Sequence, residues 1–195
     1  MSASSKDQII KIYGDKRSGN CYKVQLVMEM LDIPYQWVAV DVLKGETRSA
    51  DFLARNPNGK VPIIEYSDAT VLAESNAILL HLAEDTSLLP EDWLARARVY
   101  QWLFFEQYSH EPFIAVARFI VVYLNQEQEQ AERLTMLRDK ATLHCRSWSI
   151  TLPGSLFYRS TFRWQILHFM PIRIVLVKLV LNWPCIPISR PGSIG

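Results

Sequence analysis

A chain of 195 residues that is 49% hydrophobic and 21% charged has room for one large or two small globular domains with a sizeable core. Its formal net charge of +1 gives no reason to expect a nucleic-acid partner. The three cysteines, Cys21, Cys145 and Cys185, are odd in number and widely spaced, which fits neither a disulfide framework nor a zinc site and suits a reducing cytoplasm.

Met1 to Asp7 is polar, lacks a signal-peptide pattern and reads as a frayed tail. Gln8 to Tyr13 is β-branched and aromatic and predicts a strand. Gly14-Asp15 supplies turn chemistry, and Ser18 is placed to cap a helix over Asn20 to Leu31. Val24, Leu26, Val27, Met30 and Leu31 recur at helical spacing and predict its apolar face. Tyr35 to Val40 is a second strand, and Ala50 to Arg55 a short helix. Asn56-Pro57-Asn58-Gly59 is a strong turn signal. Val61 to Tyr66 and Thr70 to Leu72 read as two strands joined by Ser67-Asp68-Ala69, and Ala73-Glu74-Ser75-Asn76 opens a helix that runs to about Ala83. The order β-α-β-α-β-β-α predicts a thioredoxin-like α/β domain over residues 7–85. Asp85 to Asp92 reads as a linker, and from Trp93 the pattern is helical, giving an all-α domain over 91–140. Leu94, Trp102 and Phe105 fall on one side of its first helix and Tyr100, Phe104 and Tyr108 on another, which predicts a helix sandwiched between layers.

A helix start gathers unpaired N–H groups and the positive end of the dipole, so the Ser18 region suits an anion. Taken alone, Ser18 reads as a cap. Cys21 reads as a buried small hydrophobe, Asn56 to Pro62 as a loop and Glu74 as a favourable first-turn charge. Glu106, among apolar positions, reads as a paired structural charge. His110 and Glu111 read as solvated or satisfied in the helical domain rather than as the lining of an acceptor pocket.

Three motifs, in order and at their spacing, change the balance: Ser18-Gly19-Asn20-Cys21, Asn56-Pro57-Asn58-Gly59-Lys60-Val61-Pro62, and Leu72-Ala73-Glu74-Ser75-Asn76-Ala77-Ile78. With them the chain resembles a cytosolic glutathione transferase of the serine type, from Ile9 to about Lys140. The resemblance implies that Ser18 is the catalytic hydroxyl that hydrogen-bonds the glutathione sulfur. It implies that the Val61 backbone pairs with the cysteinyl part of glutathione, ahead of a cis-proline at Pro62, and that Glu74 and Ser75 hold the γ-glutamyl end. Asn20 and Lys60 are implied as neighbours in the same site. A free thiol has a pKa of about 8.5, and a hydroxyl donor plus a helix start favour its anion. Glutathione is then a co-substrate rather than a cofactor, its partner a small electrophile or peroxide. No metal or further cofactor is implied, and intact family members are expected to be homodimeric and cytoplasmic.

Beyond Lys140 the expected helical pattern is absent. Phe162 to Ile188 is apolar but interrupted by Pro171, Pro184 and Pro187. Ile172 to Leu181 contains Arg173 and Lys178, and its apolar stretches fall short of the ~18 residues of a membrane span, so a membrane is not expected. Thr161 to Ile174, encoded suitably and read from the third base of its first codon, gives FSVADIALYAYSH, which resembles the family's signature at the start of a second-domain helix. Residues 141–195 are therefore expected to be an aberrant tail, out of frame through a genuine or a sequencing shift, that leaves the helical domain incomplete. The resulting expectation is a glutathione transferase acting on an electrophile or peroxide. The alternative is an inactive remnant that at most binds glutathione or a partner.

Overall fold

The computed structural model describes residues 9–151, with side chains to residue 144. The chain divides into two compact units between Arg96 and Ala97.

The first unit follows the anticipated order. Strand β1 is Ile10–Gly14, helix α1 Gly19–Met30, β2 Tyr35–Ala39, α2 Ala50–Arg55, β3 Ile63–Glu65, β4 Val71–Ala73 and α3 Ser75–Ala83. The sheet order is β2-β1-β3-β4. β1 runs parallel to β2, with Ile12 opposite Trp37, because α1 supplies the crossover that a parallel pair needs. β3 is antiparallel to β1, with Ile64 opposite Ile12, and β4 closes an antiparallel hairpin with Ile64 opposite Leu72. In that hairpin Ala69 takes φ +65°, and Thr70 N–H donates to Asp68 Oδ1 at 2.9 Å.

Strand alternation sorts the side chains into two faces. Tyr13, Ile63 and the apolar cluster of Val40 and Phe52 share the α2 face. Ile12 and Ile64 alternate to the other face, and both are fully buried. Helices α1 and α3 pack on each other and contribute Val24, Val27, Ile78 and Leu82 to the core. Each such side chain stabilises the fold by about 1.5–3 kcal/mol through burial. The buried side of α1 is Cys21, Lys23, Val24, Val27 and Met28, so the expected face is corrected. Leu26 and Leu31 are only half-buried and Met30 is exposed. Counting one turn at a time from Cys21 leads to Val24 and Met28, whereas Leu26 and Met30 lie a quarter-turn or more away.

Helix α4, Trp93–Phe105, carries the chain across the division, and α5 in the second unit is Glu111–Arg118. Five-residue π turns at Glu106–His110 and Phe119–Tyr123 follow them. Pro112 explains the first of these. It has no N–H for the preceding turn, and a widened turn absorbs the missing bond without ending the helix. Helix α6 is Ala131–Thr151 and packs on α5 along one apolar seam, with Ile114, Ala117 and Ile120 against Leu134, Leu137 and Ala141. Among the described residues the expected sandwiching of α4 is not found. Among its residues only Val99 is buried, while Trp93 and Phe104 are 76% and 72% exposed. The seam shown by the described helices is the one between α5 and α6, and aromatic spacing along α4 does not by itself supply a covering surface.

The helix also does not stop at Lys140. The seam passes through Ala141, and His144 stacks on Phe113 with ring centroids 5.3 Å apart. No proline follows Lys140 until Pro153, so nothing breaks the helix at the point where the sequence pattern changes. The remainder of the expected out-of-frame tail lies outside the described residues.

Candidate functional site

The site is assembled from three chain segments of the first unit. The first is the β1–α1 junction. Gly14 ends β1 where a Cβ would stand 2.9 Å from the Trp37 ring and 3.0 Å from the Cys21 sulfur, so only glycine lets α1 start this close to the sheet. Ser18 is the N-cap of α1, with φ −79° and ψ 123°, and its Oγ accepts from Cys21 N–H at 3.4 Å. Capping uses an oxygen lone pair and leaves the hydroxyl proton available, so the cap and the donor to an anion are compatible in one residue. The Cys21 sulfur shows the sense of that effect. Burial pushes the Cys21 thiol up to about 11, while the Ser18 hydroxyl beside it acts in the opposite direction. Cys21 is fully buried, and the raised thiol fits a small core residue rather than a nucleophile. Asp15, also buried, accepts from the Arg17 N–H, Nε and Nη2 and holds the loop ahead of Ser18.

The second segment is residues 56–62. Asn56 is buried, and its side chain organises the turn. Nδ2 donates to the Lys60 carbonyl at 2.8 Å, and Oδ1 accepts from Asn58 N–H at 3.2 Å. Gly59 supplies φ +62°, with the Arg48 guanidinium 2.7 Å from where a Cβ would be. The Val61–Pro62 peptide bond is cis, as the resemblance implies. β3 starts only at Ile63, so the Val61 backbone lies just outside the ladder, next to the sheet end. Its side chain packs against the Val40–Phe52–Ile63 cluster. The Lys60 side chain is exposed, and the loop uses its carbonyl rather than its ammonium.

The third segment opens α3. Glu74 is its N-cap residue, exposed, at φ +68° and ψ 108°. A non-glycine residue held in this region costs about 1–3 kcal/mol, and such strain concentrates at ligand sites. Ser75 is buried, and its Oγ donates to Asn20 Oδ1 at 3.3 Å. One turn further along α1, Lys23 Nζ donates to Asn76 Oδ1 at 2.5 Å. The starts of α1 and α3 are thus cross-linked twice. The structure brings Asn20 and Ser75 together directly; the link does not run through Lys60 or Glu74.

Sequence reasoning missed Lys23, Asn76, Asp15 and Asn56. No sequence signal marked Lys23: it lies outside the apolar face that the spacing predicts for α1, and only the structure shows that it is buried. Glu106 and His110 are both buried in the π turn. Among the described residues no cluster of His, Cys, Asp or Glu could hold a metal, and no helix is long and apolar enough to cross a membrane.

A four-stranded mixed sheet with α1 and α3 packed together, and a cis-proline leading into β3, defines a thioredoxin-like α/β domain. The family model for the glutathione S-transferase N-terminal domain matches residues 17–85. The crystal structure of a glutathione S-transferase from Pseudomonas fluorescens is 39% identical, with a TM-score of 0.78 and 90% of each chain covered. The chain belongs to the glutathione S-transferase family. Protein URE2 of Eremothecium gossypii is 36% identical over 134 residues, which is 64% of this chain and 38% of that protein. The chain thus spans well under half of that curated relative. A structure of Ure2p in complex with glutathione is 25% identical, with a TM-score of 0.61, covering 74% of this chain and 61% of that one.

Proposed function

We propose that this protein binds glutathione at the joined starts of α1 and α3 and activates its thiol for attack on a small electrophile or peroxide. The observation that carries the reading is the Ser75–Asn20 hydrogen bond, which sets the γ-glutamyl residues beside the helix start that Ser18 caps. The Ser18 hydroxyl and the N–H groups of α1 then favour the thiolate. The Val61 backbone offers strand-like bonds to an extended tripeptide. Ser75 at the start of α3 takes the γ-glutamyl carboxylate, and Glu74 pairs with its ammonium. Ure2p, a family relative, is known in complex with glutathione, which supports this ligand. A second reading, binding without turnover, is favoured by the tail, where a shifted frame gives text resembling the family's second domain. The family's homodimeric assembly and a reducing, cytoplasmic setting are part of the proposal.

Calorimetric titration with glutathione, followed by a conjugation assay, separates the two readings. Saturable binding with turnover supports catalysis, and binding without turnover supports the second reading. Glu74→Ala should weaken glutathione binding and leave the pKa of the bound thiol in place. Equal affinity in the parent and Glu74→Ala argues against this site.

A further inference from the structure

We propose that Lys23, clasped to Asn76, is a positioning residue for the glutathione site, fixing the start of α3 against the start of α1. This rests on the reading of the site given above. Lys23 is only 5% exposed, a rare state for a lysine. Its Nζ donates to Asn76 Oδ1 at 2.5 Å, and Asn76 is the residue after Ser75. Asn20 and Lys23 lie one turn apart on α1, and their partners Ser75 and Asn76 are adjacent on α3. The two hydrogen bonds therefore form two rungs between the same pair of helices.

One rung would leave the start of α3 free to pivot about it. The second removes that freedom and fixes the distance between the Ser18 hydroxyl and the Glu74–Ser75 end. Extended glutathione must span the same distance, so the clasp acts on the fit of the whole tripeptide and not on the sulfur alone. Packing does not explain a lysine here. Val24, Val27 and Ile78 on these two helices are already buried apolar groups, and an apolar residue at position 23 would avoid the cost of burying a charge. What the ammonium adds is a directional bond.

Lys23→Met keeps the length and apolar stem of the side chain and removes the bond. Calorimetric titration of the full chain with glutathione should show affinity about tenfold weaker, the effect of one lost hydrogen bond. Asn76→Ala should match it, the double variant should be no worse than either single one, and Lys23→Arg should recover most of the loss. The pKa of the bound thiol, followed by ultraviolet thiolate absorbance, should stay at the parent value. A purely structural lysine would lower thermal stability without this coupled loss of affinity. Parent-like affinity in folded Lys23→Met overturns the role, as does a loss that Asn76→Ala does not share. Should Lys23→Met not fold, parent-like affinity in Asn76→Ala overturns it equally. A parent chain that does not bind glutathione overturns the reading of the site itself, so the two failures are told apart.

Discussion

The two units are held together by different means. In the α/β unit, side chains 52 to 55 positions apart in the chain hydrogen-bond one another: Lys11 and Tyr13 with Glu65, Asn20 with Ser75, Lys23 with Asn76. Among its described residues, the helical unit shows an apolar seam, Ile114–Ala117–Ile120 against Leu134–Leu137–Ala141, and leaves Phe104 and Tyr108 exposed. Directional bonds fix angles and distances, while a seam of methyl groups fixes only proximity. This is why the candidate glutathione site lies in the first unit, where element starts from three parts of the chain are held in register.

The sharpest break of that contrast compares one core residue from each unit. Ile12→Ala and Leu134→Ala should each cost about 2–5 kcal/mol in urea unfolding, since both side chains are almost fully buried. Ile12→Ala should also weaken glutathione binding, because it loosens the sheet beneath α1 and α3. Leu134→Ala should leave the affinity within about twofold, because every residue of the candidate site belongs to the first unit. Equal losses of affinity in the two variants would mean that the site is not confined to the first unit.

Ser18→Ala tests the directional chemistry at the centre of the site. A hydrogen bond to a charged group is worth about 1.5–3 kcal/mol, so conjugation should slow by roughly tenfold or more as the bound thiol's pKa rises. Affinity for glutathione should change little. Because Ser18 also caps α1, unfolding of the ligand-free variant is measured in parallel, and a lost cap should cost about 1 kcal/mol. An unchanged rate at neutral pH in a folded, active preparation would remove Ser18 from catalysis.

The smallest expected effect comes from the polar cluster on the other face of the sheet. Glu65, buried on β3, accepts from Arg55 Nε at 2.7 Å, Lys11 Nζ at 3.0 Å and Tyr13 OH at 3.2 Å. Arg55 first, and then Lys11 and Tyr13, hold its carboxyl below the usual glutamate value of 4.5. A depressed folded-state value means that the carboxylate's stabilisation is present above the unfolded-state value and is lost as the pH falls through the folded one. The parent should therefore lose stability below about pH 4.5, and Glu65→Gln should lose that part of the dependence while being about 1–3 kcal/mol less stable at neutral pH. Identical acid-unfolding profiles would show that the cluster contributes nothing to the rigidity of the sheet.

Local chemistry was enough to read much of this protein. Strand alternation, the Ser18 cap, the Asn56–Gly59 turn and the order β-α-β-α-β-β-α are short-range patterns, and backbone preferences act over a few residues. Boundaries moved by a residue or two: β3 is Ile63–Glu65, without Val61, Pro62 and Tyr66. Ser18, Val61, Pro62, Glu74 and Ser75 could be named as a set only through the resemblance, since each is common alone. What the chain's own pattern could not supply was contact between distant segments. The buried side of α1, with Met28 inside and Met30 outside, depends on where α3 and the sheet press against it. The same holds for Lys23. A lysine in an amphipathic helix reads as a solvated charge until tertiary packing buries it and sets it against Asn76, 53 positions away. The continuation of α6 through Ala141 was likewise decided by its seam with α5, because burying an apolar stripe stabilises a helix more than local propensity does.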